Sequence, residues 1–290
     1  MRTYTTRAYA KLNLSLDIRG LRPDGYHELE SVMQTVSLYD TVTLTLGKGQ
    51  GITMACDLPY IPTDDRNLAV RAALLFYKEL GKPAPDLFID IEKKIPVGAG
   101  MAGGSTNAAA VLRLLNQAEG KPFSAAELQS LGLRLGADVP FCLVGGTCLC
   151  GGVGEQLTPL PAMPDCGILI TKPAVSVSTK IAYGLFDAWE PKIRADIPAM
   201  EAALRVGDLA AVASAMGNSL EAPIMAHKPV IAAVRDRMAA AGPLGAMMTG
   251  SGSAVFAIFP NIAAARRAMN ACRRLAPTVM VVRPQPAFSD

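Results

Sequence analysis

Pro96, Val97, Gly98, Ala99, Gly100, Met101, Ala102, Gly103, Gly104, Ser105, Thr106 and Asn107 follow one another and run straight into an alanine- and leucine-rich stretch reaching Gln117. Four glycines in this run let backbone N–H groups converge, and the start of a helix adds partial positive charge. That chemistry is the cradling of phosphate oxygens. The hydroxyls of Ser105 and Thr106 could add contacts to phosphate or to a magnesium ion. A plainer account of the same residues is a tight structural turn. Gly98, Gly100 and Gly103 also satisfy the dinucleotide spacing GxGxxG, but the preceding segment alternates in polarity where a buried parallel strand would be continuously apolar. No Gly-Lys-Ser/Thr occurs, which excludes a Walker A loop, and the HRD and DFG signatures of protein kinases are absent.

Other residues carry chemistry only in combination. Lys11 and Asn13 lie one pleat apart on the polar side of an alternating segment at 10–18. Asp138, in Gly-Ala-Asp-Val-Pro, reads as a cap or turn residue before an apolar strand, or as a catalytic carboxylate. Arg22-Pro23-Asp24-Gly25 is a turn that then presents Tyr26 and His27, either as a hairpin with a packed tyrosine or as a loop that stacks on and hydrogen-bonds a base. Gly250-Ser251-Gly252-Ser253 is, alone, an ordinary turn before a strand.

These residues must be positioned by recognisable elements. Strands are expected at 10–18, half-buried, and at 32–38 and 42–46, with Tyr39-Asp40 as a turn between the latter two in an antiparallel meander. Residues 67–80 have helical spacing, and 87–95 alternate as a strand broken at Lys93. Ser124-Ala125-Ala126-Glu127 is a capping box opening a helix that Gly136 closes. Gly145-Gly146 and Gly151-Gly152 mark turns between short strands. The proline-rich stretch 159–164 is the expected joint between two domains, 1–158 and 159–290. Beyond it the pattern predicts strands at 167–171, 254–259 and 279–282, and helices after Ser178, at 208–220, 229–241 and 261–275. This interleaving suits an α+β sandwich.

Composition bounds the rest. At 290 residues, half of them hydrophobic, the chain can bury two moderate cores around one cleft. A net charge of +3 gives no basic stripe for nucleic acid, and no apolar run is long enough to span a bilayer. The first residues have charge without a following apolar region, so no cleaved leader is expected. Six scattered cysteines read as reduced, buried and cytoplasmic, and two histidines are too few for a histidine-built metal site. Oligomeric state is not legible.

Taken together, the segments at 8–14, 96–109 and 249–253 resemble the three motifs of the GHMP kinases, in the family's order and over nearly the whole chain. Lys-Leu-Asn-Leu, Arg-Pro-Asp-Gly-Tyr-His and Gly-Ala-Asp-Val-Pro narrow the resemblance to members whose small-molecule substrate is a methylerythritol linked to cytidine diphosphate. The resemblance implies a two-domain α+β fold, with an N-terminal domain like domain 2 of ribosomal protein S5 and a ferredoxin-like C-terminal domain. It implies phosphate transfer from ATP, with Mg2+, to the tertiary hydroxyl at carbon 2 of the methylerythritol unit. By the same likeness Asp138 is the catalytic base and Lys11 the catalytic lysine. Asn13 orients the substrate, residues 96–106 hold the ATP phosphates with Gly252 approaching from the other domain, and Asn67 lies near the adenine. Tyr26, His27 and Tyr183 grip the cytosine, the two tyrosine rings sandwiching it. Ala102 stands where a glycine is common in the family's loop, and Thr106 where a serine is common. Family members acting on homoserine or mevalonate, and relatives that bind nucleotide without transferring phosphate, are the alternatives.

Overall fold

The computed structural model describes residues 1–274 and 276–288. In chain order the elements are β1 (Arg2–Leu21), β2 (His27–Leu46), β3 (Ile52–Cys56), α1 (Leu68–Leu80), β4 (Leu87–Glu92), α2 (Gly103–Ala118), α3 (Ala125–Leu133), α4 (Val139–Val144), β5 (Thr147–Gly151) and β6 (Gln156–Pro159). They continue as β7 (Gly167–Lys172), α5 (Thr179–Asp187), α6 (Ile197–Val206), α7 (Leu209–Ser214), β8 (Gly217–Asn218), α8 (Glu221–His227), α9 (Pro229–Ala239), β9 (Gly245–Met248), β10 (Val255–Phe259), α10 (Ile262–Cys272) and β11 (Thr278–Val282).

Two sheets organise the molecule. A seven-stranded sheet runs β3-β4-β2-β1-β8, with β5 pairing β2 and β6 pairing β5; a four-stranded sheet runs β11-β7-β10-β9. The frame of the first is the hairpin of β1 and β2, 20 residues each, whose length lets β2 pair β4 along 41–46 and β5 along 31–34. Helices α1 to α4 bury their apolar faces against the first sheet, around Phe76, Leu112, Leu115 and Phe141. Leu12 and Leu14 instead pack with Ile168, Ile170 and Phe256 from the second sheet. The hairpin is therefore buried on both sides, and the half-buried strand expected at 10–18 is corrected: every one of these residues is buried.

Local signals hold up well. Ser124 and Glu127 form the reciprocal capping box, Asn67 caps α1 through its side chain, and Ser178 caps α5. Four expectations are corrected. Tyr39-Asp40 is not a turn, because β2 passes through it unbroken. The segment after Asp138 is a short helix with Pro140 in its first turn rather than a strand. The single helix expected at 208–220 divides into α7, β8 and Leu220, the N-cap of α8, since Gly217 and Asn218 leave the helix to pair in parallel with Ser15 and Leu16 of β1. Helix α10 ends at Cys272, and Leu275, its expected last residue, lies outside the described residues. Helices α6 and α8 and strands β3 and β9 carried no sequence expectation.

The chain crosses between the sheets more than once. After β11 it returns to the first sheet: Ser37 N donates to Arg283 O at 2.8 Å, and Gln285 N to Thr35 O at 2.8 Å. Further on, Phe288 N donates to Val144 O at 3.1 Å, satisfying a carbonyl at the end of α4. No helix among the described residues is long and apolar enough to cross a membrane.

Candidate active site

The three motifs meet at one place. Lys11 N donates to Met101 O at 3.2 Å, tying β1 to the glycine loop, and Asn13 N donates to Thr249 Oγ1 at 3.0 Å, tying β1 to the turn before β10. Loop and turn also bond to each other, Ala254 N to Ala99 O at 3.2 Å. The approach is closest at Gly100, with φ +75°, where any Cβ would run into the carbonyl oxygen of Thr249. Only glycine satisfies both the left-handed backbone and that contact. Ala102, the departure from the family's loop, also sits in the left-handed region at φ 58°, at the N-cap of α2, where alanine costs roughly 1–2 kcal/mol that glycine would not.

Beneath the loop lies a buried network that the sequence did not disclose. Asp40 is fully buried and accepts from Lys94 N at 2.7 Å, Ile95 N at 2.8 Å and Asn107 Nδ2 at 2.9 Å, and it pairs with the Lys93 ammonium. Lys93 Nζ also donates to Asn107 Oδ1 at 3.0 Å. One carboxylate thus fixes the end of β4, the entry to the loop and the second turn of α2. A buried charge persists only when paired and hydrogen-bonded in this way.

The loop walls a cleft with a cavity volume of about 700 Å³ between the two sheets. On its floor Lys11 Nζ lies 3.8 Å from Asp138 Oδ1 and donates to Asn13 Oδ1 at 2.6 Å. Asn13 Nδ2 in turn donates to Ser31 Oγ at 2.8 Å, so the ammonium is held from below. Its side chain is 6% exposed while that of Asp138 is 34% exposed, which leaves the carboxylate reachable from the cleft. Asp138 precedes α4 and caps nothing with its side chain, so its oxygens remain available. Next to it Cys142 is buried, and burial first, then the Asp138 charge, pushes its thiol up to about 12, leaving it neutral.

Of the residues expected to hold a nucleotide, 96–105 and Gly252 line the cleft, and so does Asn67. The Asn67 amide is already committed at both ends: Oδ1 accepts from Ala69 N at 2.9 Å, and Nδ2 donates to Pro62 O at 2.8 Å. One N–H and one lone pair of the amide are left over for a ligand. Thr106, expected beside Ser105, is fully buried behind the loop, its hydroxyl without a protein partner, and it does not line the cleft. Ser105 is the hydroxyl on the cleft side.

At the other end Tyr183 of α5 lines the cleft, while Tyr26 and His27 do not. His27 packs on Tyr183 with ring centroids 4.7 Å apart, and its Nε2 lies 2.8 Å from Asp187 Oδ1. Burial first, then the Asp138 charge, raises the Tyr183 hydroxyl to about 12, so it stays neutral. Tyr26 is 64% exposed at the tip of the hairpin. The two tyrosines do not form a closed sandwich here; the ring against Tyr183 is the imidazole.

Among the described residues no three His, Cys, Asp or Glu side chains cluster as a metal cage. Magnesium rarely uses such a cage, being held by one or two carboxylates plus substrate phosphates and water. The partly exposed Asp138 and the Ser105 hydroxyl fit that sparser demand.

A lysine and a carboxylate facing one cleft beside a glycine-rich loop at a helix N-terminus suit a small-molecule phosphotransferase. Sequence comparison agrees: residues 67–146 match the GHMP kinases N terminal domain and residues 199–277 match GHMP kinases C terminal. A 4-diphosphocytidyl-2-C-methyl-D-erythritol kinase of Lachnoclostridium phytofermentans is 44% identical over 262 residues, covering 90% of each chain. A crystal structure of 4-(cytidine 5'-diphospho)-2C-methyl-D-erythritol kinase superposes with a TM-score of 0.81 at 35% identity, over 97% of this chain and 99% of that one. A homoserine kinase from Cytophaga hutchinsonii reaches a TM-score of 0.79 at 21% identity, covering 99% of this chain and 96% of that one, a likeness of fold alone. The chain belongs to the GHMP kinases and, within them, to the 4-diphosphocytidyl-2-C-methyl-D-erythritol kinase family.

Proposed function

We propose that this protein transfers the γ-phosphoryl group of ATP to the 2-hydroxyl of 4-diphosphocytidyl-2-C-methyl-D-erythritol, a step of the non-mevalonate route to isoprenoid precursors. The observation that carries the reading is the pairing of Lys11 with Asp138 at 3.8 Å on the floor of a cleft walled by the glycine loop. Family membership supplies the identity of the acceptor.

In this reading the units 1–158 and 159–290 close on the substrates from two sides. Backbone N–H groups of 98–105 hold the triphosphate, with Gly252 facing them. Asp138 accepts the proton of the acceptor hydroxyl as its oxygen attacks phosphorus, a role worth roughly 10²–10⁴ in rate. Lys11 offsets the negative charge that develops beside that carboxylate, and Asn13 keeps the ammonium on station. Ser105 would help to hold magnesium together with the nucleotide, and the ion would supply further neutralisation of phosphate charge. Tyr183, His27 and Tyr26 take the cytosine, Tyr26 by moving from its exposed position. Six free thiols, five of them buried, accord with action in the cytoplasm.

A coupled ADP-release assay tests the reading. Turnover is expected with the diphosphocytidyl acceptor and not with homoserine or mevalonate. Turnover only on either of the latter would overturn the acceptor, and ATP binding with no transfer to any would make the chain a nucleotide sensor.

A further inference from the structure

Three lysine ammonium groups are buried around the glycine loop, and one of them differs from the others. Lys11 faces Asp138, and Lys93 pairs with Asp40. Lys172, at the end of β7, is 9% exposed and has no carboxylate partner among the described residues. Its Nζ donates to Pro173 O at 3.0 Å, to Val175 O at 2.9 Å and to Ser176 Oγ at 3.5 Å. Three acceptors match the three N–H bonds of an ammonium, yet none returns negative charge. Burial pushes this group below the usual lysine range, as expected for a cation whose only partners are neutral.

The segment that Lys172 gathers abuts the loop. A Cβ on Gly98 would come within 2.8 Å of Ser176 Oγ, so the first turn of the loop rests on Ser176. Ser253 joins the two: its Oγ donates to Val175 O and its N to Gly98 O at 3.4 Å. Lys172 itself stands behind this wall and does not line the cleft.

We infer that Lys172 is a positioning residue for the nucleotide triphosphate: it holds 173–176 against Gly98 and places behind the loop a positive charge whose counter-ion arrives only with the ligand's phosphates. A buried unpaired cation is costly on its own and is relieved by an anion brought close through low-dielectric surroundings. The inference rests on the reading of the glycine loop as a phosphate cradle and is independent of the acceptor.

Titration of the full chain with ATP, without acceptor, tests it apart from turnover. Lys172→Met keeps the length and removes the charge; the variant should still fold, with Tm lowered modestly because three acceptors lose their donor. Its affinity for ATP is expected to fall about tenfold and that for adenosine to change less than about twofold, while Lys172→Arg keeps most of the ATP affinity. In turnover the KM for ATP should rise by the same factor, with kcat and the acceptor KM nearly unchanged. Wild-type ATP affinity in Lys172→Met, or equal losses for ATP and adenosine, would overturn the inference. If wild type binds ATP as expected but phosphorylates none of the three acceptors, the function proposed above fails while this inference stands.

Discussion

The two ends of the cleft are built differently. At the glycine-loop end, proposed to hold the triphosphate, every wall is tied to another: loop to strand through Lys11 N and Met101 O, strand to turn through Asn13 N and Thr249 Oγ1, and loop to β4 and α2 through Asp40. At the opposite end, proposed to take the base, Tyr183 rides on α5, His27 reaches it from the start of β2, and Tyr26 stands 64% exposed on the hairpin tip. A rigid cradle suits a charge distribution that must be met without reorganisation. An exposed ring suits a planar base that has to be admitted and then covered. Substitutions at the first end should therefore damage chemistry or stability, and substitutions at the second should damage recognition alone.

The sharpest division comes from Asp138→Asn. It should lower kcat by about 10³ while leaving ATP affinity within a few-fold, read by ADP release and by nucleotide titration. Unchanged turnover would remove Asp138 from the proton transfer. Asp40→Ala strips a buried carboxylate from four donors and strands the Lys93 ammonium. A loss of about 3–5 kcal/mol is expected in denaturant unfolding, together with weakened ATP binding. A neutral result would mean the loop is held by backbone contacts alone.

Asp40 also marks where sequence reasoning stops. Its neighbour Tyr39 and its polarity read as a turn, because the partners that make its burial tolerable are residues 93, 94, 95 and 107, brought near only by the fold. Asp138 was legible as a residue, but its setting was not, since Val-Pro-Phe-Cys-Leu-Val is a short apolar run that periodicity cannot divide between strand and helix. By contrast the capping box at Ser124 was readable because its hydrogen bonds close within a few residues, and the glycine loop because its glycines and hydroxyls are contiguous in the chain. Thr106 looked like a second phosphate hydroxyl beside Ser105. In the structure Ser105 lines the cleft while Thr106 is buried behind it, a difference that their adjacency in the chain could not reveal. The division of α7 from α8 was hidden for the same reason as Asp40: the partner of Gly217 is Ser15, far back in the chain.

Smaller effects sharpen the contrast at the base end. Tyr26→Ala should raise the KM for the cytidine acceptor by about tenfold through lost stacking, with the KM for ATP and the Tm unchanged. Equal rises in both KM values would deny it a role in base recognition. Smallest of all, Ser124→Ala removes a surface capping box remote from either end and should cost about 1 kcal/mol of stability with full activity. Activity lost with that cap would show that α3 transmits strain to Asp138.

The most direct test of the central claim is a crystal structure of the chain with a non-hydrolysable ATP analogue and the diphosphocytidyl acceptor together. The account predicts the triphosphate against the backbone of 98–105 and the acceptor's 2-hydroxyl within hydrogen-bond reach of Asp138, with Lys11 beside both. A triphosphate lodged elsewhere, or an acceptor hydroxyl that faces away from Asp138, would contradict it.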